Sequence, residues 1–363
     1  MQFRRTIASL GKAALNSARR RSYDRRYVKE AQRALSTIER DTSQKLSVQH
    51  KKLADEYAAE VLGSKSYAPW LYVYTLVRGG FREGWIPDNY FGWVVVPAIN
   101  KGFGPMTGFK SLTKVILRTE ALPDLAYYID GVLYDRDMSV SGLDWLRKAT
   151  THNELFVKSD RTSRGRGITK VSIKELDEAL LRRIGNCVIQ EGIRQHPELD
   201  RIISGPVATI RITTVKEKSG RISMRAAYFR VGRSDASWVL SAHSLRVAII
   251  DKSGYLDAFC YTPDWKRWPK HPDTGFAFAN HRIPRFAEAV KLCTGLHGKI
   301  PHISIIGWDV AIGEDETVKL IEWNARHCDI KFSEACTGPC FADLHWERLR
   351  DFSAPAASRL SPE

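Results

Sequence analysis

The sequence predicts an α+β fold, with a basic helical start followed by antiparallel sheets. Three observations point there. Apolar residues recur at helical spacing near the start, as in Phe3, Ile7, Leu10 and Ala14. Later, β-prone runs come in pairs around short polar turns, at 125–134, 207–232, 238–260 and 304–326. Between these pairs stand helical stretches such as 173–186 and 282–296, which sheets of this kind pack against.

Composition sets the bounds. With 363 residues, 43% hydrophobic and 10% aromatic, the chain suits two or three folded domains. No apolar run approaches the roughly 20 residues of a membrane helix. The net charge of +15 calls for an anionic partner: nucleotide, acidic substrate, membrane surface or nucleic acid. About half of that excess lies in residues 1–35, which hold ten Lys/Arg against two acids. Nucleic acid is disfavoured, because the excess is terminal and no nucleic-acid motif is present. Cys187, Cys260, Cys293, Cys328, Cys336 and Cys340 are scattered, and no signal-peptide core precedes them. Reduced thiols in a cytoplasmic protein are expected. His327, Cys328, Cys336 and Cys340 match no usual zinc spacing.

In chain order, residues 1–63 form a basic helical segment, with a second amphipathic helix over 44–62 ending at Gly63. Three readings fit its charge: a solvated face, an anionic membrane surface giving peripheral association, or a targeting peptide. Residues 64–150 form an N-terminal lobe. There 70–81 reads as helix or strand, 85–100 as a strand bounded by prolines, and Asp130–Gly131 as a hairpin turn. GFGPMTGFKS at 102–111 is glycine-rich but lacks P-loop spacing, so it is set aside. Residues 151–350 form the main region, and 351–363 a tail.

Within the main region, LFVKSDRTSRGRGITKVS at 155–172 reads as strand, lysine, flexible loop, strand. Lys158 would reach phosphates from beneath, while Gly165 and Gly167 let backbone N–H groups approach and Arg164 and Arg166 add charge. Arg211, mid-strand among apolar neighbours, needs an anionic partner, either a structural carboxylate or a ligand phosphate. His196, His243 and His271 lie in or near site-forming segments without a motif to assign them.

The pair at 304–326, SIIGWDVAIGEDETVKLIEWNAR, carries the densest chemistry. Closing its turn on Glu314–Asp315 pairs Asp309 with Leu320, one step along the same face from Glu322. Asn324 shares that face, together with Val318 and Leu320. Buried carboxylates are costly unless paired or bound to metal, and an all-oxygen set suits Mg²⁺ with substrate phosphates.

Taken in order, FVKSDRTSRGRGI, IQEGIRQH, TIRITTV, IGWDVAI and LIEWNAR resemble the ATP-grasp superfamily, and within it the sugar-transfer-associated branch. The resemblance covers about residues 150–330. It implies two α+β subdomains with antiparallel sheets clasping ATP. By match, Lys158 resembles the phosphate-contacting lysine, and Ser163, Arg164, Gly165, Arg166 and Gly167 the loop closing over the phosphates. Glu191, Gly192 and Ile193 resemble the adenine hinge, and Arg211 the arginine on the phosphate side. Asp309, Glu322 and Asn324 resemble the Mg²⁺ ligands, and Arg326 the arginine facing the reacting carboxylate. The chain departs from the pattern at Ser159, at 234–244 and at His327–Cys328, which places its individuality on the acceptor side. The resemblance implies an ATP- and Mg²⁺-dependent carboxylate–amine ligase acting through an acyl phosphate, with a saccharide-linked or amino-acid substrate and a place in polysaccharide biosynthesis. A phosphotransferase using the same site is the alternative, and a non-catalytic nucleotide-binding module the third reading.

Overall fold

Residues 2–162, 166–235 and 243–351 are described by the computed structural model, with side chains from residue 14 to residue 350. The chain divides into two units: Met1–Gly102 with Asp264–Arg267 and Asp329–Glu363, and Phe103–Pro263 with Trp268–Cys328. These limits differ from sequence-based divisions at 63 and 150, because packing rather than composition decides which segments share a core.

The first unit is helical. Its helix α1 (Gln2–Thr42) is continuous for 41 residues. Tyr23, Tyr27, Ala31, Ala34 and Ile38 recur every three or four residues and are its buried stripe. A second helix, Val48–Glu56, starts at Ser47, whose hydroxyl accepts the His50 N–H. The stretch 70–81 lies in the helix Ala68–Arg78, ended by Gly79 in the left-handed region.

The strand expected over 85–100 is instead helical, running Asp88–Tyr90, Phe91–Val95 and Val96–Ile99. Its valines favour strands only where a sheet offers them a surface, and here Tyr90, Phe91 and Val95 are buried among helices. Pro97, which cannot donate in a helix, follows the wider π turn Phe91–Val95. Lys331 ties this unit together through Glu30, Asp88 and Asp329 at 3.0, 3.3 and 3.2 Å.

The second unit holds two sheets. The five-stranded sheet contains β1 (Asp124–Ile129), β2 (Val132–Asp135), β3 (Glu154–Ser159), β4 (Ile168–Ser172) and β5 (Cys187–Glu191), in the order β2-β1-β5-β3-β4. The seven-stranded sheet contains β6 (Thr209–Lys216), β7 (Ile222–Val231), β8 (Leu245–Ile249), β9 (Leu256–Tyr261), β10 (Arg267–Trp268), β11 (Ile305–Ile312) and β12 (Val318–Asn324). Its order is β10-β9-β8-β7-β6-β11-β12. The hairpins expected at 125–134, 207–232 and 304–326 all form, and that at 238–260 forms within its described part.

Alternation gives each sheet one apolar face. Leu155, Val157, Cys187 and Ile189 pack with Leu146 and Leu181 from the helices Leu143–Ala149 and Glu178–Ile184. Ile210, Ile212, Phe229, Val247, Trp308 and Val310 pack with Ala289, Cys293 and Leu296 from the helix Phe286–Gly298. Each such side chain contributes about 1.5–3 kcal/mol on burial, so strand register is held firmly. The opposite faces are left to polar residues, and the site is built there.

Candidate active site

On the five-stranded sheet, cross-strand pairing puts Asp124, Phe156, Lys158, Val188 and Gln190 on one face, since Phe156 opposes Gln190, Lys158 opposes Val188 and Asp124 opposes Gln190. Asp124 accepts hydrogen bonds from Tyr127 and Gln190, each at 2.6 Å. Lys158 leaves this face toward a cavity that is also lined by Lys110, Asp124, Gln190 and Glu322.

Lys110 comes from the glycine-rich segment that failed the P-loop test. Its ammonium donates to the carbonyls of Ser159 and Thr162 at 3.0 and 2.6 Å, and to the Thr162 hydroxyl at 3.0 Å. Ser111 adds a 2.6 Å bond to Asp160. The segment therefore braces the base of the loop after β3 while presenting a second cation to the cavity. What identified it was lysine beside glycines within reach of the β3 loop, a relation that exists in space and not in spacing. Gly167 closes the loop at φ 73°, and a methyl group there would lie 2.6 Å from the Thr162 side chain. Only glycine fits without displacement.

On the seven-stranded sheet, the β11–β12 hairpin differs in register from the sequence expectation. The turn pairs Ile312 with Val318, and a β-bulge then shifts the ladder so that Val310 pairs with Leu320 and Asp309 with Glu322. One extra residue reverses the alternation. Leu320 consequently enters the apolar core, opposite to the face of Glu322, whereas sequence alone put both on one side. Asp309 and Glu322 become direct neighbours, with Asn324 opposite Gly307 on the same face. Trp308 and Trp323 stack beneath them, with ring centroids 6.1 Å apart.

Asp309 is 5% exposed and held by Arg211 in a two-pronged pair, with Nε–Oδ1 at 2.6 Å and Nη2–Oδ2 at 2.8 Å. Arg211 also donates to the Cys328 carbonyl at 2.9 Å. Of the two partners sequence allowed for this arginine, the carboxylate is the one present. Gly307 makes room for it, since a Cβ there would lie 3.2 Å from Arg211 Nη1 and 3.3 Å from Cys328 Cβ. Arg230, which the sequence reading left outside the site, stands 3.8 Å from Asp309 Oδ2. It is 5% exposed, and its Nε has no hydrogen-bond partner. Its cross-strand neighbour Thr209 likewise has an unpartnered buried hydroxyl.

The electrostatics follow from this crowding. Burial, and then the nearby Asp309 charge, raise the Glu322 carboxyl above its ordinary range, opposed by Lys110 and Lys158. Burial lowers both lysines, and Glu322 is the leading influence pulling each back up. Cations and carboxylate thus depend on one another.

These residues fit a hard divalent cation. Glu322 reaches the cavity with no hydrogen bond to its carboxylate among the described residues, and Asn324 adds an amide on the same face. Asp309 accepts two hydrogen bonds from Arg211, which use two of a carboxylate's roughly four lone-pair directions. Among the described residues no three His, Cys, Asp or Glu gather as a metal site. Mg²⁺ takes one or two carboxylates and completes its shell with water and phosphate.

The other expected residues are placed as follows. Ser163, Arg164 and Gly165 lie outside the described residues, and Arg166 is exposed beside Gly167. The Glu191 carboxylate is held by Thr150 at 2.6 Å, with His152 at 3.4 Å, and does not line the cavity, where Gln190 stands instead. Any adenine contact at Glu191, Gly192 and Ile193 therefore falls to their backbone. Arg326 follows β12 directly and is partly buried. His196 and His271 bond backbone groups, and His243 is exposed.

Two antiparallel sheets bring a lysine and a carboxylate-bearing hairpin to one cavity, which is the arrangement of an ATP-grasp fold. Residues 171–341 match the family model described as sugar-transfer associated ATP-grasp, and over that span the chain resembles this branch. No curated protein matches it. Among solved structures, it is similar to the biotin carboxylase domain of Hydrogenobacter thermophilus 2-oxoglutarate carboxylase in complex with MgADP, ADP and bicarbonate. The identity is 14% and the TM-score 0.40, covering 70% of this chain and 46% of that one. It is also similar to the L-amino acid ligase from Bacillus licheniformis, at 17% identity and TM-score 0.39, over 71% and 52% of the two chains. A third likeness, to N5-carboxyaminoimidazole synthase from Aspergillus clavatus, has 14% identity and TM-score 0.36, over 60% and 44%. The chain spans about half the length of these proteins. At such identity and TM-score they say nothing of its reaction or substrate.

Proposed function

We propose that the chain is an ATP- and Mg²⁺-dependent ligase that activates a carboxylate as an acyl phosphate and joins it to an amine, with a saccharide-linked or amino-acid substrate. One observation carries the reading: Lys110, Lys158 and the Glu322 carboxylate meet in a single cavity between two sheets. Two cations beside one carboxylate suit a polyphosphate with its metal.

Lys158 and Lys110 offset phosphate charge, and Lys110 at the same time fixes the β3 loop at Ser159 and Thr162. Asp309, Glu322 and Asn324 would hold Mg²⁺, which supplies neutralisation of the transferred phosphoryl group. Arg211 keeps Asp309 in place. A substrate carboxylate oxygen attacks the γ-phosphorus as the bond to the ADP oxygen breaks. The amine nitrogen then attacks the acyl carbon, phosphate leaves, and the nitrogen gives up its proton to phosphate or water. Arg230 and Thr209, with unpartnered donors near Asp309, suit the substrate carboxylate, which would satisfy groups otherwise left buried and unbonded. Such catalysis is positioning and charge stabilisation and needs no protein nucleophile.

The test is phosphate release with pairs of candidate carboxylates and amines, followed by product mass. Amide formation is expected, at the sum of the substrates less water. A product carrying phosphate on a hydroxyl would select the phosphotransferase instead. Glu322→Ala should abolish turnover with the fold retained, and unchanged ATP hydrolysis in that variant would refute the metal assignment.

A further inference from the structure

We propose that the outward face of α1 docks on an anionic lipid surface. This does not rest on the ligase reading. At 3.6 residues per turn, the buried stripe Tyr23, Tyr27, Ala31, Ala34 and Ile38 defines the inward side of the helix. Arg21, Arg25, Lys29, Arg33 and Arg40 fall on the opposite side, and all five are exposed. Among the described residues none of these five forms an ion pair, whereas Arg20 pairs with Asp24 and Glu30 with Lys331 elsewhere on the helix.

The helix also outruns its own core. Residues 14–22 contain no buried side chain, and Leu15 is 52% exposed. A basic helical stretch that is tied down, among the described residues, only by the Arg20 bond to the Tyr67 hydroxyl and buries no side chain is marginal in water, where most helix stability comes from burying an apolar stripe. The sequence supplies apolar residues at helical spacing, Phe3, Ile7, Leu10 and Ala14, ahead of the arginine row. An apolar stripe running into an unanswered cationic row is the pattern of a helix lying in a lipid headgroup layer. Nucleic acid would satisfy the charge but offers nothing for the apolar stripe to enter. No helix among the described residues is long and apolar enough to cross a membrane.

The experiment is co-sedimentation of the full chain with phosphatidylcholine vesicles, with and without phosphatidylserine. Binding is expected only with phosphatidylserine and should fall as salt rises. Each cation near such a surface is worth about five-fold in partitioning, so combined Arg21→Glu, Arg25→Glu and Lys29→Glu should lower it on the order of 100-fold or more. Leu15→Ser should weaken it separately, without changing the salt dependence. These positions are exposed, so unchanged thermal unfolding and ATP binding report an intact fold. Equal binding to both vesicle types, no binding to either, or wild-type binding by the triple variant would overturn the proposal. So would a single-stranded RNA that binds more tightly than vesicles and strips the protein from them.

Discussion

Replacing Arg211 with methionine removes both prongs of its pair with Asp309 and the bond to the Cys328 carbonyl. Both side chains are almost fully buried, at 7% and 6% exposure, so the orphaned carboxylate cannot regain water. Arg230, at 3.8 Å, replaces only part of the lost interaction. Breaking a buried pair from one side costs about 3–5 kcal/mol, because an uncompensated charge remains. Asp309→Leu leaves Arg211 stranded in the same way and should cost a similar amount. The double variant leaves neither charge and should be destabilised by less than the sum of the two, with a coupling of about 2–3 kcal/mol. Urea denaturation of the four proteins measures the cycle. A cost below about 1 kcal/mol for Arg211→Met, or strict additivity, would refute the reasoning and reduce the pair to a surface-like contact.

Further outcomes follow from other parts of the molecule. Lys110→Met should raise the ATP KM and loosen the β3 loop, read as faster hydrogen exchange near Ser159 and Thr162. An effect on KM without faster exchange would separate its charge from its bracing. Gly307→Ala should weaken nucleotide turnover with little loss of stability, because the added methyl presses on Arg211 Nη1 and Cys328. In the helical unit, Glu334 is fully buried and accepts N–H bonds from Ile86 at 2.8 Å and Cys340 at 2.7 Å, yet burial pushes its carboxyl up to about 7. A carboxyl raised in the folded state contributes stability that is present below its ordinary value of 4.5 and lost as pH rises to about 7. Stability should fall by roughly 3 kcal/mol across that window, and the slope should vanish in Glu334→Gln. That variant should itself lose about 1–3 kcal/mol, as its amide nitrogen would face a backbone N–H.

Much of the architecture was legible in the chain because it is locally encoded. Hairpins declare themselves by apolar runs flanking short polar turns, and the 304–326 pair did so together with its three oxygen-bearing residues. Lys158 stood out because it lies at the end of one strand, ahead of a glycine-bearing loop and a second strand. The expected strand over 85–100 failed for the opposite reason. Valines report only a wish for a packed surface, and that surface turned out to be helical.

What the tertiary structure alone decided is relational. The bulge that makes Asp309 and Glu322 direct neighbours, and sends Leu320 to the core, depends on how both strands meet their sheet. Lys110 joins the site from a segment with no recognisable spacing, because its partners, the Ser159 and Thr162 carbonyls, are 49 and 52 residues away. Arg211 and Asp309, 98 residues apart, show the same limit. Sequence could say that a buried arginine needs an anion. Only the folded β6–β11 ladder, which sets Arg211 opposite Asp309, could say which one.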